Sequence, residues 1–175
     1  MDAKKASNLL FVVGETKNEL GGSHYYKING QLGAHLPKVD LERAPTIAKK
    51  ISAAIADGLI VSCHDCSEGG LAIALAEMAF AGGLGIEADL RGLPKSDDCL
   101  RTDAQLFSES NSRYIVEVKP ENYDAFAKLM LNLPFGQIGK VTTENTLTIK
   151  AEDGKKVIEQ DLDSLKQAWQ KPLDW

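Results

Sequence analysis

The sequence predicts an α/β (α+β) domain, a mixed β-sheet covered by helices. Three observations carry this. Apolar runs of strand length alternate with amphipathic runs of helix length, rather than forming separate blocks. Most runs end at Gly, Pro or Asp. The 175 residues, 43% hydrophobic and 26% charged, suffice for one domain with its own core.

Leu9 to Val13 is an apolar run stopped by Gly14, a buried strand. Glu15 to Ser23 is polar and glycine-bearing, a loop with room for one helical turn. Tyr25 to Pro37 is mixed, with Gly30, Gly33 and Pro37 as breakers. Asp40 reads as an N-cap, and apolar residues at helical spacing follow to Ala56, with Pro45 near the first turn. Leu59 to Cys63 is a second buried strand. A helix from about Glu68 to Ala81 follows, closed by Gly82 and Gly83.

Gly85 to Leu90 alternates like a half-buried strand, and 91–103 reads as a flexible loop. A short helix over Asp103 to Phe107 precedes a strand at Tyr114 to Val118. Pro120 opens a helix over Glu121 to Leu131. The end is strand-rich, at 137–141, 146–149 and 156–158, with Glu152-Asp153-Gly154 as a hairpin turn. Asp161 caps a last helix striped by Leu162, Leu165, Ala168 and Trp169.

A net charge of −5 argues against a nucleic-acid surface. No apolar run approaches the ~18 residues that span a bilayer. The start lacks a small-residue cleavage site, and three cysteines make no disulfide framework. Cytoplasmic placement follows as the default.

The segment His64 to Phe80, HDCSEGGLAIALAEMAF, is the most informative. A strand feeding a glycine-opened helix aims backbone N–H groups past the strand's end, a recipe for holding a phosphate. Asp65, Ser67, Gly69 and Gly70 then form a phosphate-facing rim, with Gly70→Val expected to weaken binding more than stability. The bland alternative is that Asp65 or Ser67 caps the helix and the glycines permit close helix–sheet packing. Cys63-His64-Asp65-Cys66 holds a C-x-x-C pair, but a structural zinc site needs four ligands and the other candidates are scattered. Cys63 reads better as a buried small residue and Cys66 as a turn position.

Glu109, Ser110, Asn111 and Arg113 precede a strong strand. They read as a polar turn with a Glu109–Arg113 ion pair, or as a loop offering hydrogen bonds to a substrate. Lys17, in ETKNELGGS, is the best cation for a phosphate. Gly136 to Thr142 lacks the spacing of a Walker loop. No complete set of catalytic residues is present.

GETKNELGGSHYY (14–26), PKVDLERAP (37–45), HDCSEGGLAIALAEMAF (64–80) and LFSESNSRYIVEV (106–118), with IGKVT and a terminal LKQAW, occur in that order. Together they resemble the C-terminal domain, in its second copy, of the phosphoribosylformylglycinamidine synthase family. That family is part of the wider aminoimidazole ribonucleotide synthetase superfamily. The resemblance implies an ATP- and Mg2+-dependent carbon–nitrogen ligase of purine biosynthesis acting on formylglycinamide ribonucleotide. Its implied partners are N-terminal ATP-binding domains and a glutaminase subunit or domain. In the family's first such domain a Glu-Ser-Gln motif contacts substrate. Here Glu109-Ser110 match it, but Asn111 replaces the Gln, which implies an auxiliary, non-catalytic copy. One domain alone implies no activity, an exposed apolar patch, and self-association through it. The alternatives are another superfamily member (selenophosphate synthetase, thiamine-phosphate kinase or a hydrogenase maturation protein) or a structural module that binds no ligand.

Overall fold

A computed structural model describes residues 1–173. Its strands are β1 (Leu9–Val13), β2 (Ile60–Asp65), β3 (Gly85–Asp89), β4 (Tyr114–Val118), β5 (Phe135–Thr142), β6 (Thr146–Lys150) and β7 (Lys156–Asp161). Its helices are α1 (His24–Ile28), α2 (Arg43–Ala56), α3 (Gly70–Gly82), α4 (Thr102–Phe107), α5 (Tyr123–Met130) and α6 (Leu162–Gln170). The strands form one mixed sheet in the order β2-β4-β1-β5-β3-β6-β7. β3 and β6 run parallel, and the other neighbouring pairs are antiparallel. The α+β architecture is the expected one.

Strand alternation divides the core into two layers. Leu10 and Val12 of β1 face α3, α4 and α6, while Phe11 and Val13 face α2 and α5. α3 is buried on nearly all sides because the sheet lies beneath it and α4 and α6 flank it. The second helical layer covers β2, β4 and β1 and reaches β5 only at Phe135. Beyond it, the sheet shows Glu87, Lys140, Thr148 and Lys150 to an open concavity of about 510 Å³ that no helix residue lines. A polar sheet face beside water needs no cover.

Glu117 sits on the α3 side of β4 and is fully buried. Its carboxylate accepts the backbone N–H groups of Lys4 (2.8 Å) and Lys5 (3.1 Å) and the Asn8 amide (2.6 Å). Ala3 donates its N–H to the Met78 carbonyl and packs against Gly82, where a Cβ would strike Ala3 backbone. The segment before β1 is therefore part of the core.

Most predicted boundaries agree within two residues. Asp40 does cap: its Oδ1 accepts from Glu42 and Arg43, although the regular helix begins at Arg43. β2 runs two residues further than its apolar run, because His64 and Asp65 pair with Ile115 and Tyr114 of β4. Segment 91–103, expected to be a flexible loop, is irregular but tethered. Thr16 bonds Pro94 and Ser96 through the backbone, and Leu93 and Cys99 are buried.

Candidate functional site

The C-terminal ends of β1 and β2 and the N-terminal end of β4 lie side by side, because Tyr114 pairs with both Val13 and Asp65. The loops leaving that end, 14–23, 66–69 and 108–113, therefore converge. Arg113 organises them. It is 1% exposed and donates to the carbonyls of Ser110 (3.1 Å) and Ser108 and to the Thr16 hydroxyl (2.9 Å). The expected Glu109–Arg113 ion pair does not form. Arg113 points inward, where loop carbonyls need donors, and Glu109 points to the helix ends.

Glu109 Oε1 accepts the backbone N–H of Gly69 (2.8 Å), at the start of α3, and of His24 (3.0 Å), at the start of α1. A carboxylate between two helix N-termini is favoured by both partial positive charges. Neither Asp65 nor Ser67 caps α3. Gly69 holds the N-cap position at φ +79°, and the Ser67 hydroxyl instead donates to Asp65. That bond, with His64 behind it, keeps the Asp65 carboxyl below its ordinary range. Gly70 faces protein: a Cβ there would stand 2.5 Å from the Ser108 carbonyl oxygen. Its amide bonds the Ser67 carbonyl, so it is not presented to a ligand.

A cleft of about 440 Å³ remains beside this mouth, lined among others by Pro37, Asp65, Ser67, Glu68, Glu109 and Asn111. Arg113 forms part of its floor. Asn111 also lines a small neighbouring hollow with Lys17, Lys38 and Arg43. Lys17 and Lys38 in turn line a further cleft of about 370 Å³ with Glu19 and Asp98. Ser110 does not face the first cleft. Its buried hydroxyl accepts the Lys17 N–H at 3.1 Å, as Glu19 accepts that of Lys38 at 3.1 Å. Both lysines thus rise from pinned backbone, and among the described residues neither ammonium is in an ion pair.

The rim is acidic on one flank and mixed on the other. Asp65, Glu68 and Glu109 line the first, while Lys17 and Lys38 stand on the second beside Arg43, which pairs with Glu15 and Asp40 at 3.6 Å each. A bare phosphate on the acidic flank meets repulsion, whereas a phosphate carrying a divalent cation does not. The oxygens of Asp65, Ser67 and Glu68 suit such a cation. Among the described residues, no three His, Cys, Asp or Glu side chains converge as a metal site.

The cysteines serve packing. Cys66 belongs to the α3-side core and Cys63 to the α2-side core, so Cys66 is more buried than a turn position implies and Cys63 less than its strand implied. Burial pushes the thiols of Cys63, Cys66 and Cys99 each up to about 11. A thiol raised on folding stabilises below its unfolded value and loses that contribution as pH climbs toward the folded one. Stability is therefore expected to fall between about pH 9 and pH 11. A thiol reagent at pH 8 should react at least tenfold more slowly with native than with urea-unfolded protein. Equal rates would show that the thiols are accessible.

Several contributors carried no sequence signal. Thr16 and Glu19 face inward from a loop that reads as solvent-exposed, and Lys38 comes to the rim only because Glu19 holds its backbone. Glu68 was readable as an acid beside the rim.

This mixed sheet, with helices on its faces and a loop-built rim at one end, defines an α+β domain. The chain belongs to the AIR synthase related protein family, whose C-terminal domain matches residues 5–152. It is similar to T. maritima PurL complexed with FGAR (TM-score 0.81, 18% identity, 94% of this chain and 28% of that one). It is also similar to T. maritima PurL complexed with ATP (0.75, 19%, 94% and 26%) and to E. coli HypE (0.68, 20%, 92% and 51%). At these identities the likeness is one of fold. The chain spans about a quarter of the PurL chains and about half of HypE.

Proposed function

We propose that this chain is the C-terminal domain, in its second copy, of a phosphoribosylformylglycinamidine synthase. That cytoplasmic ligase would convert formylglycinamide ribonucleotide to formylglycinamidine ribonucleotide with ATP and glutamine-derived ammonia. The observation that carries this reading is the convergence of three loops on a cleft lined by Asp65, Glu68 and Glu109, with Lys17 and Lys38 beside it. The domain completes a nucleotide–phosphate cleft and is inactive in isolation. Asp65 and Glu68 would hold Mg2+ together with ligands from an N-terminal ATP-binding domain, and the metal would neutralise phosphate charge there. Lys17 and Lys38 would meet the phosphate from the other flank, and Glu109 to Arg113 keep the rim in shape.

A partner domain is supported by an apolar strap. From the last residue of α1 to the approach to α2, Ile28 (81%), Leu32 (78%), Leu36 (57%), Val39 (52%) and Leu41 (82%) are all exposed within fourteen residues. Pro37 and Lys38 of the same strap line the clefts, so a domain covering it would close over the site. A glutaminase subunit or domain would join the assembly elsewhere.

A second reading is favoured by the fold shared with HypE, of which this chain would be the second half. Mg·ATP titration of the intact polypeptide, with and without formylglycinamide ribonucleotide, separates the two. Asp65→Asn and Lys17→Ala are each expected to weaken Mg·ATP binding about tenfold, the 1.4 kcal/mol of one charge-assisted contact. Unchanged affinity in both variants would leave only the structural module.

A further inference from the structure

Residues 153–173 lie beyond the span matched by the family, yet their helix touches the site's framework. Trp169 of α6 lays its ring near Phe80 of α3 (centroids 5.8 Å apart) and donates its indole N–H to Glu77 Oε1 at 3.0 Å. The second oxygen of that carboxylate, Oε2, is 2.7 Å from His64 Nε2. An ionised carboxylate only accepts, so Nε2 is the donor. Across the ring, His64 Nδ1 stands 3.5 Å from Asp65 Oδ1, and Asp65 Oδ2 takes the Ser67 hydroxyl. One chain of polar contacts thus runs from the C-terminal helix to the mouth of the cleft.

We propose that Trp169 and Glu77 are positioning residues for Asp65: acting through His64, the C-terminal helix fixes the carboxylate that the cleft presents. The His64 side chain is 12% exposed, and both of its nitrogens face carboxylates, so rotating the ring breaks two contacts at once. The 2.7 Å bond between Nε2 and Glu77 is short and directional and fixes the ring, and the ring then sets Nδ1 against Asp65 in a 3.5 Å polar contact rather than a hydrogen bond. The functional weight of this inference rests on the reading of the cleft given above; the coupling itself does not. Asp65 also has Cys63, Cys66 and Tyr114 near it. Burial raises all three, so they are neutral near pH 7 and add no charge beside it.

The test follows the Asp65 carboxyl carbon and the His64 ring nitrogens by NMR at one fixed pH near neutrality, with no ligand added. Trp169→Phe keeps a ring against Phe80 and deletes the N–H; Glu77→Gln keeps the shape and removes the charge. Both are expected to move the His64 nitrogen shifts and, through the ring, the Asp65 carboxyl carbon shift. Leu165→Ala, which thins the α6 packing without touching these groups, is expected to lower stability and leave both sets of shifts in place. An Asp65 carboxyl shift that superimposes on wild type in Trp169→Phe overturns the role of the helix. An equal shift in Leu165→Ala overturns it as well, since any loosening would then suffice. Because no nucleotide is used, failure here is separate from failure of the proposed function.

Discussion

Replacing Arg113 with methionine is expected to lower the unfolding free energy by about 4 kcal/mol, read as a fall in the urea midpoint at unchanged m-value. Methionine has similar length and remains apolar where Arg113 is 1% exposed. It leaves the carbonyls of Ser108 and Ser110 and the Thr16 hydroxyl without their donor. An orphaned buried acceptor costs about 1–3 kcal/mol, and three are created. Removing the buried charge returns part of this, since burial already pulls the guanidinium below its ordinary value. Arg113→Lys is expected to recover less than half of the loss, because an ammonium does not reproduce the planar fork. Amides of 14–17 and 108–112 should lose exchange protection before the rest of the sheet. A loss under about 1 kcal/mol would mean that the three loops hold one another without the guanidinium.

Gly70→Ala should cost about 3 kcal/mol, and its effect on stability should exceed any effect on binding. Gly70 has φ +68°, a region in which a side chain is strained. Its Cβ would lie 2.5 Å from Ser108 O and 2.9 Å from the Phe107 carbonyl carbon, both backbone atoms. Gly58 offers the control. It has the same φ of +68° but open space around it, so Gly58→Ala should cost only about 1 kcal/mol. Thermal melts of the two variants, with Mg·ATP titration of the first, check this. Stability spared with binding lost in Gly70→Ala would restore a glycine that faces ligand.

The contrast over Gly70 marks where sequence reasoning stops. Leu9 to Val13 and Tyr114 to Val118 are legible as strands because alternation and apolar content are local properties. α1 was left within a mixed segment because its five residues have no buried member. The glycine pair was read as a place of close approach, but the approaching groups are the chain's own: the 106–108 backbone at Gly70, brought there by α4 packing on α3, and the Ile73 side chain at Gly69. The amides at the start of α3 were expected to face a phosphate, and the Gly69 N–H instead meets a carboxylate of the chain itself. It belongs to Glu109, forty residues away, which no spacing rule connects to Gly69. Asp65, Glu109, Asn111 and Arg113 were picked out as polar residues beside strand ends, and the antiparallel pairing of β2 with β4 brings them to one cleft. Lys38 and Glu19 stayed hidden because their roles depend on a contact nineteen residues apart.

The Glu117 anchor bears on mechanics. From Ala3 onward the backbone is gripped by a buried carboxylate and by the end of α3, so it offers no slack to absorb rotation. A body fused ahead of Ala3 would ride on this sheet as on a rigid arm, and its tilting would be delivered as torque to β4, the strand that leads straight back to Arg113.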